Sequence, residues 1–258
     1  MNLAPEIACP PPVACHIEGW RSLVLDEVGS TNSHASSLPP WTAVRANVQT
    51  GGRGRIRERH WVSDEGGLWL SAVLPCPGSR RKWELLPLAA GWAVLGALRD
   101  FGVADLRLRW PNDLMLGRRK LAGLLVERYQ PATAVIGIGV NVFNQPELAN
   151  PALAGLTARL EDIVPGGYTV DDVARLILRA LRRMHAILLQ GEFHQIADQL
   201  NLDWAKPRRV EITLSGRAHT FAGLFQGVDP HGRLRLLTER EGPCVYDATQ
   251  VVLLRELD

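Results

Sequence analysis

Two stretches of this 258-residue chain carry residue types that could manage anions. The first runs Gly51, Gly52, Arg53, Gly54, Arg55, Ile56, Arg57, Glu58, Arg59, His60. Glycines let backbone approach a ligand closely. Arg53 and Arg55 offer rigid planar donors that match phosphate or carboxylate oxygens. A solvated basic loop, or a nucleic-acid patch, has the same composition. The second stretch runs from Arg109, Trp110, Pro111, Asn112 and Asp113 to Arg119, Lys120, Leu121, Ala122 and Gly123. Two short strands and a glycine turn bring Asp113 near Lys120. A lysine facing a pocket can neutralise a phosphate, and a nearby carboxylate can orient a nucleophile. A surface salt bridge on a hairpin is the plainer reading.

Three further groups are smaller. Ser30, Thr31 and Asn32 present short polar side chains that could bind a polar ligand head or cap a helix. Gln49 carries an amide that donates and accepts together, which suits a urea-like group, or simply ends a strand. Gly137 and Gly139 lie on one face of a strand that ends at Asn141, so a ligand or another part of the chain must lie against that face. The dinucleotide fingerprint is absent, because the third glycine is missing and no helix opens there. The histidines are scattered and no metal-ligand set is legible, and Trp83 and Trp92 read as helix packing residues.

These groups need elements to hold them. Residues up to about 17, with Pro10, Pro11 and Pro12, read as a loose leader. Strands are expected over 20–27, 44–49, 67–74, 106–110 and 134–142, with a short helix over 32–37. A hairpin is expected over 114–127. Apolar residues at helical spacing predict a helix over 83–101, ended by Gly102. Helices are also expected over 170–190, capped by Thr169, and over 192–200. Past a linker at 203–207, short strands over 210–214, 219–228, 233–238 and 244–254 suggest a small barrel. The expected architecture is α+β: a leader (1–17), a mixed-sheet domain (18–203) and a C-terminal β-barrel domain (207–258).

Composition bounds the class. Hydrophobic residues at 46% and charged residues at 22% suit a globular chain. Lys+Arg 29 against Asp+Glu 27 leaves +2, too little for a whole-molecule polyanion binder, so no nucleic-acid partner is expected. No apolar run approaches the roughly 20 residues of a spanning helix, and no secretory signal is visible, so no membrane partner is expected. Cys9, Cys15, Cys76 and Cys244 show no zinc or C-x-x-C spacing, which suits free thiols in the cytoplasm.

Taken in order, these motifs resemble the biotin–protein ligases, also called biotin–[acetyl-CoA-carboxylase] ligases. The residues that carry the resemblance are Gly29 to Asn32, Gln49 to Arg55, Trp61 and Ser63, Arg109 to Asp113, Arg119 to Gly123 with Val126 and Glu127, and Gly137, Gly139 and Asn141. The resemblance extends from about Trp20 to the C-terminus, where Gly227 to Gly232 look like the family's barrel. It implies a class II synthetase-like biotin/lipoate ligase catalytic domain and a small C-terminal SH3-like β-barrel. It implies that biotin is activated with ATP and Mg²⁺ to biotinyl-5'-AMP, then joined to a lysine of a biotin carboxyl carrier protein domain.

By position, Ser30, Thr31 and Asn32 would hold biotin, with Gln49 on its ureido ring and Gly137 and Gly139 lining the pocket. Arg53, Gly54 and Arg55 would wrap the carboxyl and phosphate. Trp61, Asn112 and Asn141 would lie near the adenylate. Lys120, Arg53 and Asp113 would be catalytic, with Asp113 positioning the incoming lysine. The sequence also departs from the family: the usual G-R-G-R-x-G-R-x-W loop has lost a glycine and gained a residue, and Arg109 stands for a usual lysine. The resemblance implies a monofunctional ligase without the N-terminal DNA-binding domain, and it admits a homodimer. A non-catalytic biotin or biotinyl-adenylate binder, and a lipoate-type ligase on the same fold, are the alternatives.

Overall fold

The computed structural model describes residues 13–56, 60–78, 83–216 and 220–257. Residues 1–12 of the expected leader, Arg57, Glu58 and Arg59 of the basic loop, and His219 lie outside these.

The expected leader is cut short at its C-terminal end. β1 (Val13–Ile17) pairs antiparallel with β2 (Trp20–Val28), from Val13 opposite Val24 to Ile17 opposite Trp20. Glu18 (φ 52°) and Gly19 (φ 77°) make the two-residue left-handed turn that tight hairpins favour. Edge pairing of this kind is made by backbone groups, so an unpatterned segment can join the sheet.

Eight strands form one mixed sheet in the order β1-β2-β3-β4-β8-β7-β6-β5. The remaining members are β3 (Thr42–Gln49), β4 (Leu68–Pro75), β5 (Leu106–Arg109), β6 (Asp113–Leu116), β7 (Arg119–Gln130) and β8 (Thr133–Val140). Only the β2–β3 pair is parallel. Alternation along the central strands sorts their two faces. Leu68, Leu70, Ala72 and Leu74 of β4, with Ala134, Ile136, Ile138 and Val140 of β8, join the main core. Ser71, Val73, Val135, Gly137 and Gly139 face the other way, where the short helix α1 (Thr31–Ala35) packs on β3, β4 and β8.

The core face is covered by α2 (Leu86–Asp100) and, beyond the short turn α3 (Pro146–Ala149), by α4 (Val170–Gln190). Pro87 fits the first turn of α2, where its missing N–H costs nothing. Thr169 and Asp172 form a reciprocal capping box that starts α4, and Gly191 (φ 80°) ends it. α5 (Phe193–Asp203) follows and ends with Trp204, whose indole donates to Leu108 O at 2.7 Å.

The C-terminal strands are β9 (Arg208–Leu214), β10 (Thr220–Val228), β11 (Leu234–Thr238), β12 (Gly242–Tyr246) and β13 (Val251–Glu256). They form an antiparallel sheet in the order β12-β11-β10-β9-β13, in which β12 and β13 are edges, so the barrel-like sheet does not close. The strand expected over 244–254 is two strands. A turn in which Asp247 and Gln250 exchange hydrogen bonds separates them. An Arg107–Glu256 ion pair ties β13 to β5 of the large sheet.

Candidate active site

The site forms on the α1 face of the large sheet. Thr31 and Asn32 are buried at the start of α1. Ser30 occupies the N-cap position but makes no side-chain cap bond, so capping does not explain these residues. Instead Gln49 Oε1 accepts from Thr31 N–H (2.8 Å) and Thr31 O–H (2.9 Å), while Gln49 Nε2 donates to Ser63 Oγ at 3.0 Å. Ser71 Oγ lies 2.7 Å from Thr31 Oγ1 and 2.6 Å from Asn32 Oδ1. Ser71 is fully buried, and its hydroxyl needs such partners.

The two strand glycines answer the question that their spacing raised. A Cβ on Gly137 would stand 2.4 Å from Asn32 Oδ1, and one on Gly139 would stand 2.8 Å from Trp61 Cε2. Side chains of the site itself therefore lie against this strip. Gly123 of β7 makes the same room, since its Cβ would meet Trp61 and Lys120 at 2.9 Å.

The basic loop reaches two different partners. Arg53 Nη2 donates to Glu127 Oε2 at 2.9 Å and to Tyr129 OH at 2.8 Å. Arg55 donates to three backbone carbonyls of the C-terminal sheet region: Ala248 (3.3 Å), Val251 (2.9 Å) and Val252 (2.7 Å). Arg53 also bridges to His60 across the loop, and Trp61 N–H donates to Gly52 O at 3.0 Å.

The hairpin of β6 and β7 carries the charged centre. Lys120 Nζ lies 2.6 Å from Asp113 Oδ1, and Arg109 Nη2 donates to Asp113 Oδ2 at 2.6 Å. Burial pushes the Asp113 carboxyl up, but the charges and hydrogen bonds of Lys120 and Arg109 outweigh it and hold the group below its ordinary range. Lys120 Nζ also stands 4.7 Å from the centre of the Trp61 ring, within cation–π reach.

Two clefts meet along this centre. The smaller is lined by Ser30, Thr31, Asn32, Gln49, Gly137 and Gly139, and it shares Gly54, Arg55, Trp61, Asn112 and Lys120 with the larger. The larger, about 470 Å³, continues between the β6–β7 hairpin and β13. All fourteen expected residues are thereby brought to one region, but not in one role. Asn112 Nδ2 donates to Leu124 O at 2.7 Å, bracing the hairpin. Asn141 is buried and donates to Ala158 O at 3.2 Å and Lys120 O at 3.4 Å, while its Oδ1 accepts from Asn144. Their amide hydrogen bonds go to the chain, and they hold the strand that carries Lys120.

Sequence reasoning assigned no role to Ser63, Ser71, Glu127, Tyr129 or the C-terminal carbonyls. Ser71 is the one polar residue of β4, and its polarity inside a buried apolar strand is the signal that could have found it. The carbonyls left no side-chain signal at all.

Known proteins are similar to this chain in sequence and fold. The family model described as the Biotin/lipoate A/B protein ligase family matches residues 29–141, the segment that holds every expected site residue. A biotin–[acetyl-CoA-carboxylase] ligase of Mycobacterium tuberculosis is 32% identical over 239 residues, covering 84% of this chain and 84% of that protein. One from Paracoccus denitrificans is 31% identical over 240 residues, covering 88% of this chain and 98% of that protein. Among solved structures, biotin protein ligase from Aquifex aeolicus in complex with biotin and ATP superposes with a TM-score of 0.79 at 26% identity, over 91% of this chain and 98% of the other. On these similarities, and on a charged hairpin, a glycine strip and an arginine loop set around one pair of clefts, the chain belongs to the biotin–protein ligases of the biotin/lipoate A/B protein ligase family.

Proposed function

We propose that this protein activates biotin with ATP and transfers it to a carrier-domain lysine. A biotin carboxylate oxygen attacks the α-phosphorus of ATP and pyrophosphate leaves, giving biotinyl-5'-AMP. The carrier amine then attacks the acyl carbon; an amide forms, AMP leaves and the amine loses a proton.

The observation that carries this reading is the position of Lys120. Its ammonium stands on the seam shared by the two clefts, fixed by Asp113 at 2.6 Å and by the Trp61 ring. A cation there can neutralise a carboxylate entering from one side and a phosphate entering from the other, in a partly water-excluded site. Ser30, Thr31 and Asn32 serve the biotin side, and Gly137 and Gly139 leave room for it. Gln49 sets Thr31 through its Oε1; its Nε2 has a second hydrogen for a ureido oxygen. Arg53, Gly54 and Arg55 supply donors to the carboxyl and phosphate. Asp113, held ionised by two cations, can accept from the incoming amine when Lys120 turns to the phosphate.

Mg²⁺ enters this reading with the nucleotide, as part of that substrate. Among the described residues no group of three or more His, Cys, Asp or Glu could cage a metal, and the site's carboxylates, Asp113 and Glu127, are engaged by cations. Such a donor set suits an ion held chiefly by phosphate oxygens. The described cysteines Cys15, Cys76 and Cys244 are free, which suits a reducing, cytoplasmic setting; burial pushes the Cys76 thiol up to about 11, so it is unreactive at neutral pH.

Biotin-dependent exchange of labelled pyrophosphate into ATP tests the first step, with lipoate and octanoate as competing acids. Exchange with biotin alone is expected. Biotin binding in calorimetry without exchange would favour a non-catalytic binder, and exchange driven by lipoate would move the protein to the lipoate-type ligases.

A further inference from the structure

Resting on the ligase reading above, we infer that Glu127 is a positioning residue that sets the substrate-facing ends of Asn32 and Arg53 together, with Tyr129 as a third arm. One carboxylate oxygen, Glu127 Oε2, accepts from Asn32 Nδ2 (2.7 Å), Arg53 Nη2 (2.9 Å) and Tyr129 OH (2.7 Å). These donors come from α1, from the basic loop and from β7 itself. Among the described residues, no other hydrogen-bond acceptor is shared by Asn32 and Arg53.

The geometry fixes what each partner offers. Asn32 Nδ2 has two hydrogens, and they go to Glu127 and to Leu125 O (3.2 Å). A carboxylate cannot accept from a carbonyl, so the amide is locked with Oδ1 toward Ser71 and the Gly137 strip. Arg53 is gripped through Nη2 by Glu127 and Tyr129, which leaves its Nη1 and Nε for a ligand anion. Burial and the Glu127 charge push the Tyr129 phenol up, so it stays a donor at neutral pH. A carboxylate beside a pocket meant for anions opposes their binding on charge alone. It is compensated here because an arginine on a glycine-rich loop would otherwise sample many orientations, and ordering it on binding would reduce affinity.

The inference separates from the alternative in which Glu127 merely restrains Arg53 until substrate displaces it. Positioning predicts a loss on removal; restraint predicts a gain. The full chain is assayed by biotin-dependent pyrophosphate exchange, with thermal melts as the folding control. Glu127→Ala is expected to raise the biotin KM about tenfold and the ATP KM several-fold less, because Asn32 serves the biotin side alone while Arg53 serves both. Glu127→Gln keeps an acceptor oxygen and should recover most of the loss, and Tyr129→Phe should raise the biotin KM about two- to threefold. In a double-mutant cycle, Arg53→Ala should cost at least about fivefold less in the Glu127→Ala background than alone. Should Glu127→Ala not fold, the cycle with Tyr129→Phe and Arg53→Ala carries the same test. Additive losses, equal rises in both KM values or a fall in biotin KM would overturn the inference. These outcomes all require an active wild-type enzyme; a wild type without biotin-dependent exchange would instead sink the ligase reading itself.

Discussion

Lys120 Nζ lies 2.6 Å from Asp113 Oδ1 across one hairpin, and Arg109 takes the other oxygen of the same carboxylate at the same distance. One anion thus separates two cations that would otherwise repel, and it aims one of them at the seam between the clefts. The pairing is local, yet it needs the β6–β7 register, in which a bulge between Leu114 and Met115 lets Lys120 stand opposite Met115 while Gly123 faces Asp113.

Removing the ammonium should remove the chemistry. Lys120→Ala is expected to lower biotin-dependent pyrophosphate exchange by at least about 100-fold, the scale of losing one electrostatic stabiliser in a preorganised site. Lys120→Arg should recover little, because a planar guanidinium cannot occupy the same point above Trp61. Exchange near the wild-type rate in Lys120→Ala would refute the assigned role.

The Asp113 pKa sets a pH signature. Its folded value lies below the ordinary 3.8, so its stabilising contribution is complete above that value and is lost as pH falls through the folded value. Asp113→Asn leaves Lys120 and Arg109 without their shared counter-ion. It should destabilise the protein by about 1–3 kcal/mol at pH 7. Urea titrations should show the gap to wild type closing below roughly pH 4. A gap that stayed constant down to pH 3 would point to lost packing instead.

Gly137→Ala tests the glycine strip. Its methyl would fall 2.4 Å from Asn32 Oδ1, which accepts from Ser71 and belongs to an amide whose Nδ2 is held by Leu125 O and Glu127. The expected outcome is a loss of about 1–3 kcal/mol in stability and a raised biotin KM. Gly96→Ala in α2 is the contrast, since nothing lies within 4 Å of its Cβ position. That change should stabilise by about 0.5–1 kcal/mol through helix propensity alone. Chemical denaturation of the two variants distinguishes close approach from a general effect of added methyl groups.

Arg55 joins the loop to the C-terminal sheet through three carbonyls, the Val251 contact spanning 196 positions of sequence. Arg55→Ala should accelerate amide hydrogen exchange over residues 247–256 and increase the fraction of biotinyl-5'-AMP released unused. Arg55→Lys should resemble the alanine variant, because an ammonium lacks the planar fork that spans three acceptors. Unchanged exchange over that segment would show that the contact does not hold the two parts together.

Much of this was legible in the residue order, and for definite reasons. The apolar runs of β4 and β8, the apolar spacing of α2 and α4, the Thr169 cap and the glycine–arginine loop are local signals, set by neighbours a few positions away. Even the Asp113–Lys120 pair follows from a short hairpin. What the chain order left open was who satisfies whom. Gln49 turns to Thr31 and Ser63, Asn141 to Ala158 and Lys120, Arg55 to carbonyls of the C-terminal sheet, and Glu127 gathers donors from three elements. An amide or a guanidinium can serve a ligand or the protein equally well. Only the packed structure, which brings distant partners within hydrogen-bonding distance and removes the water that would otherwise compete, decides between them.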